Sequence, residues 1–409
     1  MNYIMIPIDS CYGIFLLPHV AAYRPFGGRK SARVVYTGCM KIQGLLQRRA
    51  QAMGPAYRLF YDTPLHLVRG EGVFLYDAEG RQYLDCYNNV AAVGHCHPRV
   101  VVAVSEQAAK LATHTRYLHE NVIRYAERLA ETLPGDLDVC MFANSGSEAN
   151  ELAMRIARAV SGNDGAVVLE CAYHGTGNAT FDLSTEDYPA CDRPDHVATI
   201  AAPDAYRAGV DRDDDEFARS RGSAVGDAAA TLAARGPGPS LFIADGIYST
   251  SGILTPPPAF LQEAYRQIRS AGGLAVADEV QSGLGRRGAH WWAFQGSGVV
   301  PDIVTAGKPL GNGYPLAAVI TTQEIASEFS KKYHYFNTFG GNPVAAAAGL
   351  AVLDVIEEEG LRQNVRETGR YLAEALRDLQ REHAMIGDVR GRGLFMGLEI
   401  ISEPSTGEP

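Results

Sequence analysis

An α/β fold built on a mostly parallel sheet is what this chain predicts. Four short runs, Ala166-Val167-Val168-Leu169, Leu241-Phe242-Ile243-Ala244, Leu274-Ala275-Val276-Ala277 and Ile303-Val304-Thr305-Ala306, are apolar at nearly every position rather than at alternate ones. Continuous apolarity is the mark of strands covered on both faces. Helical stretches such as residues 260–270 lie between the runs, as crossovers between parallel strands require. The 409 residues, 46% of them hydrophobic, suffice for a large core and two domains, or one large domain with an appendage.

The elements follow in order. Residues 1–45 form an N-terminal extension that carries no assignment, and Met40 is an alternative start. Residues 73–85 read as two short strands across a turn at Glu79-Gly80. After His97-Pro98, residues 99–113 and 121–132 have helical spacing, and residues 147–160 form a third helix with Leu152, Ile156 and Val160 on one face. The acidic run at residues 211–216 reads as a solvated loop. Residues 343–383 turn helical, and residues 386–400 return to strand-like runs broken by glycines, so a second, smaller domain is expected. The resulting division is 46–93 as the N-terminal part of a small domain, 94–333 as the large domain, and 334–409 as the C-terminal part of the small one.

Composition narrows the partners. A net charge of -10 without a Lys/Arg-rich run argues against nucleic acid or an anionic membrane, and for small molecules. The longest apolar stretch near the N-terminus is broken by Pro7, Asp9, Pro18 and His19, short of the ~18 uninterrupted residues of a span. Seven scattered cysteines fit a reducing compartment, so a cytoplasmic protein is expected.

Lys308 ends the run beginning at Asp302-Ile303-Val304 and is the only lysine between Lys110 and Lys331. Upstream, the run Leu274-Ala275-Val276-Ala277 ends in Asp278-Glu279, a carboxylate at the C-terminal end of another strand. Ligands of open α/β sheets sit at such ends. An amine that can hold an aldehyde as a Schiff base, paired with a carboxylate that keeps a pyridine nitrogen protonated, is what pyridoxal phosphate chemistry needs. Taken alone, the pair also fits a loop lysine and a capping acid. Neighbouring motifs decide.

Asn144-Ser145-Gly146-Ser147-Glu148-Ala149-Asn150 joins a strand-like Val139-Cys140-Met141-Phe142 to the third helix. It offers either free N–H groups for a phosphate or a simple Ser cap. Tyr173-His174-Gly175 places an aromatic ring after another strand, where it can stack on a flat cofactor or enter the core. Two motifs are decoys. Gly283-Leu284-Gly285-Arg286-Arg287-Gly288 matches the dinucleotide pattern but runs into Ala289-His290-Trp291-Trp292 rather than a small-residue helix. His95-Cys96-His97 has no second ligand cluster, so a strand-to-helix turn and no metal are expected.

Residues 53–401 together resemble the class-III aminotransferases, the ω-aminotransferase group of fold-type-I pyridoxal-phosphate enzymes. The stretches that carry the resemblance are Asp278-Glu279-Val280-Gln281-Ser282-Gly283, the run through Lys308, Gly311-Asn312-Gly313-Tyr314-Pro315 and Asn337-Thr338-Phe339-Gly340-Gly341-Asn342-Pro343. The resemblance implies a large cofactor domain, a smaller α+β domain, and pyridoxal 5'-phosphate held by Lys308 with Asp278 at the ring nitrogen. It further implies Ser145, Gly146 and Ser147 at the phosphate, Tyr173 and His174 at the ring, and Gln281 near the ring oxygen. Thr338 would reach the neighbouring subunit's cofactor, making a homodimer with shared sites, and Arg116 is a candidate for an anionic substrate group.

Within the family, Tyr87-Asn88-Asn89-Val90-Ala91, residues 94–98 and Thr115-Arg116-Tyr117-Leu118-His119-Glu120 look like the branch that includes amino-alcohol-phosphate phospho-lyases and alanine:glyoxylate-type enzymes. Thr250 stands where glutamate-handling members carry an acid. Family chains also continue beyond the point matching Ile401. Amino transfer to an oxo acid is the activity implied, with phosphate elimination or a degenerate, non-catalytic homologue as alternatives.

Overall fold

The computed structural model describes residues 5–7, 32–87 and 89–403. Most of the predicted extension 1–45, together with Asn88 and the last six residues, therefore lies outside the described residues. Two compact units are present: Met1–Asn88 with Gly94–His97, and Asn89–Val93 with Pro98–Pro409.

The first unit carries a four-stranded antiparallel sheet formed by Met5–Pro7, Gln82–Asp85, Phe74–Asp77 and Leu67–Glu71. The predicted hairpin is its centre. Gly80 makes the turn at φ 80°, and buried Asp77 pins it by accepting from Arg81 N at 2.8 Å and the Tyr83 hydroxyl at 2.8 Å. In the His95-Cys96-His97 segment His95 bridges to Gly72 and its Nε2 lies 2.7 Å from Asp85 Oδ2, and Cys96 makes a turn at φ 51°.

The second unit is built on a seven-stranded sheet, numbered in chain order: β1 (Val139–Ala143), β2 (Gly165–Leu169), β3 (Val197–Ile200), β4 (Pro239–Asp245), β5 (Leu274–Asp278), β6 (Ile303–Ala306) and β7 (Ala317–Thr321). Their spatial order is β1-β7-β6-β5-β4-β2-β3, and only β7 runs against the rest. The four predicted strands are β2, β4, β5 and β6, parallel neighbours at its centre.

Alternate residues of these strands enter two separate cores. On one face Val168, Ile243, Val276 and Ile303 pack with Leu152, Met154 and Ile156 of helix α1 (Gly146–Ser161). On the other, Val167, Phe242, Ala275 and Val304 pack with α2 (Asp215–Arg235), α3 (Ala259–Ser270) and α4 (Pro343–Glu358) through Val225, Leu232, Phe260, Ile268 and Val352. A sheet covered on both faces explains the continuous apolarity of its strands. A third, small core of Leu376, Ile386 and Val389 joins α5 (Leu361–Glu382) to the antiparallel pair Ile386–Arg392 and Phe395–Ile400.

One expectation is corrected. The acidic run at 211–216 is not wholly loop: Asp214 caps α2, accepting from Glu216 N and Phe217 N at 2.9 Å, and Asp215 and Glu216 open the helix. Carboxylates are favoured there because they meet the unpaired N–H groups and the positive end of the helix.

Candidate active site

Strands that run the same way deliver their last residues to one edge. Asp245 ends β4 and pairs in register with Asp278 at the end of β5, which in turn pairs with Thr305 on β6. Lys308 follows β6 after Gly307, so amine and carboxylate leave neighbouring strands at the same edge. The Lys308 amine is half-buried and has no hydrogen-bond or ion-pair partner among the described residues.

Asp278 is 4% exposed and strongly held. His174 Nδ1 and Asn150 Nδ2 each lie 2.8 Å from its Oδ2, and Val280 N donates to its Oδ1 at 3.0 Å. The carboxylate fixes the shared hydrogen on His174 Nδ1. Burial alone would favour the neutral acid, but the hydrogen bond and charge of His174, the Val280 N–H and the Asn150 amide outweigh it and hold the Asp278 carboxyl below its ordinary value. A carboxylate offers roughly four acceptor positions. With Oδ2 doubly engaged and Oδ1 singly, the remaining one suits an N–H donor.

The next two carboxylates are pushed the other way. Glu279 is fully buried, and burial raises it to about 7 although Ala293 N, Phe294 N and the Ser282 hydroxyl donate to it at 2.8 to 3.0 Å. Asp245 is raised by burial against its bonds from Ser249 and Ile247, with the Asp278 charge adding to the rise.

The predicted anion-binding segment opens α1. Ser145 is the cap, its Oγ accepting from Glu148 N at 3.2 Å, which leaves Gly146 N and Ser147 N unpaired within the helix. Gly307 comes so close that a Cβ there would sit 3.4 Å from Gly146 N. The helix start and the Lys308 turn are thus brought together. Gly146 itself has no room for a side chain, since a Cβ would meet Val280 Cγ1 at 2.6 Å. Ser147 Oγ accepts from Thr176 N at 3.1 Å, and Gly175, at φ 139°, lets the Tyr173-His174 segment lie against it.

Tyr173 follows β2 and keeps 38% of its surface exposed, and burial of the rest, with Asp187 and Glu186 nearby, raises its hydroxyl. Gln281 Oε1 lies 3.2 Å from the Ser249 hydroxyl, whose hydrogen goes to Asp245 Oδ2 at 2.5 Å, and the amide N–H groups of Gln281 are left to donate. Thr338 is exposed, beside Asn337, whose amide accepts from Asn144 Nδ2 at 2.9 Å and donates to Glu148 Oε2 at 3.0 Å at the start of α1. The Arg116 guanidinium stacks over Phe336, 3.8 Å from the ring centre. The dinucleotide-like glycines form turns with Gly285 and Gly288 at φ 79°, and no helix follows directly.

Two residues of this site carry no assignment from the sequence alone. Asn150 bridges Asp278 and the His174 carbonyl, and Thr305 donates to Asn150 Oδ1 at 2.6 Å. Both had a signal: Asn150 closes the glycine-serine motif, and Thr305 is the lone polar residue of an apolar strand.

Comparison with known proteins decides the family. The model "Aminotransferase class-III" matches residues 59–408. The chain belongs to the class-III aminotransferases. It is 44% identical over 367 residues to "Alanine--glyoxylate aminotransferase 2-like" of Drosophila melanogaster, covering 88% of this chain and 74% of that one. It is 39% identical over 380 residues to "Ethanolamine-phosphate phospho-lyase homolog 1" of Caenorhabditis elegans, covering 89% and 81%. Among solved structures, an Arthrobacter phospholyase in complex with phosphoethanolamine superposes with a TM-score of 0.85 at 42% identity, covering 89% of this chain and 86% of that one. The fold is that of fold-type-I pyridoxal-phosphate enzymes, and pyridoxal 5'-phosphate is the cofactor of this class-III family. The residues at the strand ends fit it: an unpartnered amine, a buried carboxylate with one acceptor position left, and free N–H groups at a helix start.

Proposed function

We propose that this class-III enzyme is an aminotransferase, moving an amino group from an amine or amino acid to an oxo acid. The observation that carries the reading is the delivery of Lys308 and Asp278 to one edge by adjacent parallel strands. Pyridoxal phosphate, when bound, supplies an electron sink for the carbon bearing the substrate's amino group. Lys308 Nζ would hold the cofactor at its aldehyde, and the same amine is the base placed to move a proton at the substrate carbon. Asp278 would keep the ring nitrogen protonated, and His174 orients that carboxylate. Gly146 N and Ser147 N, with Ser145 capping the helix, would hold the phosphate. Tyr173 would lie against the ring, and a Gln281 N–H would donate toward the ring oxygen.

A homodimer completes the site through Thr338. Support comes from exposed apolar side chains: Phe339, next to it in the chain, is 69% exposed, Leu118 95% and Tyr117 65%, with Tyr117 stacked on His114 and His114 edge-on to Phe336, a patch that calls for a partner, and a second copy is the occupant. Arg116, in the same patch, is the group for a substrate anion. A cytoplasmic setting is supported by the described cysteines, Cys86, Cys96, Cys140, Cys171 and Cys191, all of which are free thiols.

Phosphate elimination from a phosphorylated amino alcohol is the second reading, favoured by Thr250 in place of an acid and by the likeness to the Arthrobacter phospholyase. Borohydride reduction followed by peptide mass spectrometry tests the shared step. Cofactor mass on the Lys308 peptide is expected, and its appearance on another lysine would refute the assignment. Incubation with an amine panel then separates the outcomes. Transamination consumes the amine beyond one equivalent per site only when an oxo acid is supplied, whereas elimination releases inorganic phosphate without one.

A further inference from the structure

Thr305 is fully buried on β6, in register with Asp278, in a strand that is otherwise apolar. A hydroxyl in such a place is costly unless bonded, and this one donates to Asn150 Oδ1 at 2.6 Å. Asn150, 1% exposed on the first turns of α1, turns its Nδ2 toward the His174 carbonyl and Asp278 Oδ2, both at 2.8 Å. The backbone of Thr305 works on the same segment, since its carbonyl accepts from Glu279 N at 2.8 Å.

The orientation of the Asn150 amide is determined by the two acceptors at its Nδ2 end, and the Thr305 hydroxyl completes it by donating to the oxygen. A flipped amide would set its oxygen against a carboxylate and a carbonyl, two acceptors with nothing to share. Thr305 satisfies the oxygen in the unflipped form, and polarisation along such a chain strengthens the donor at its far end. The groups that face Asp278 are then His174, Asn150 and the Val280 N–H, with Asp245 the one negative neighbour on the adjoining strand.

We propose that Thr305 and Asn150 are positioning residues that fix the buried Asp278 carboxylate, so that its free acceptor position meets a protonated ring nitrogen. Neither residue touches the reacting atoms; both act through Asp278. The inference rests on the cofactor reading above and adds that the hydroxyl of a strand residue three positions before Lys308 governs how tightly the ring nitrogen is held.

The test compares two ligands on cofactor-free protein: pyridoxal phosphate and its deaza analogue, in which a C–H replaces the ring nitrogen. Thr305→Val keeps the shape and removes the hydroxyl. Loss of one bonded partner from a buried carboxylate network should weaken pyridoxal phosphate binding by about tenfold and leave the analogue's affinity unchanged. Thr305→Ser should restore the wild-type value. If the valine protein does not fold, Thr305→Ala gives the same contrast without the second methyl group. Equal weakening of both ligands would make Thr305 a packing residue and overturn the proposal, as would no change in either. Wild-type protein that binds neither ligand would overturn the cofactor reading itself, a result distinct from both.

Discussion

Replacing Asp278 by asparagine removes a charge while keeping the shape, and the surrounding hydrogen bonds set the outcome. Oδ2 receives His174 Nδ1 and Asn150 Nδ2 at 2.8 Å, and Oδ1 receives Val280 N at 3.0 Å. The amide oxygen of the introduced asparagine belongs at the Oδ2 position, because the other orientation would set an NH2 group against two donors. Its nitrogen then faces the Val280 N–H and the site. One acceptor is lost to the protein, which costs about 1–3 kcal/mol, and removal of a buried charge offsets part of it. The folded protein should survive. On the proposed role of Asp278 the site is affected more, since an N–H would stand where a ring N–H has to donate, and the ring nitrogen would lose its proton. Loss of one such preorganised group lowers rates by ~10²–10³, or about 2.7–4 kcal/mol. Stopped-flow absorbance of the half-reaction with an amine and no acceptor measures it. Folded Asp278→Asn protein, verified by circular dichroism, that reacts at the wild-type rate would refute the role given to Asp278.

Two further outcomes can be checked. Glu279 is pushed up to about 7 by burial, so the folded chain keeps a proton that the unfolded chain gives up near 4.5. Stability of the cofactor-free protein should then fall by up to ~3 kcal/mol as pH rises from about 4.5 to 7, opposite in sign to the contribution of Asp278, which is lost on acidification below about 4. Thermal melts should show a steeper fall in wild type than in Glu279→Gln, where the contribution of Asp245, raised in the same direction, remains, and an identical slope in both would exclude Glu279 as a source. Leu118→Asp places a charge on the most exposed large apolar side chain of the described residues. It should shift the sedimentation of the protein toward the monomer and weaken cofactor binding through the loss of Thr338 from the neighbouring site; an unchanged sedimentation coefficient would exclude Leu118 from the subunit interface.

How much of the molecule could be read from the sequence depends on where the forces lie. Strands β2, β4, β5 and β6 were legible because burial on both faces demands apolar side chains at nearly every position. β7 was not, although it is as buried, because Ala317-Ala318-Val319-Ile320-Thr321 follows a glycine-rich turn with only a four-residue 3-10 helix, Lys308–Gly311, between it and β6. Helix α2 was hidden for a different reason. Its buried face is mostly small, with Ala218, Gly222, Ala228 and Ala229 beside only Val225 and Leu232, and Gly222 so close to α3 that a Cβ would meet Phe260 O at 2.6 Å; such a face gives no strong apolar period. The site divides in the same way. Lys308 and Asp278 announce themselves as charged groups ending apolar runs, so chemistry and position agree. Asn150 and Thr305 work through bonds that span 128 and 155 residues of chain, and no local pattern encodes such a partner. Yet Thr305 was not silent. A hydroxyl in a strand buried on both sides must have a bonded partner. The sequence thus asks for one at that position, and only the fold, by bringing α1 over β6, answers that it is Asn150.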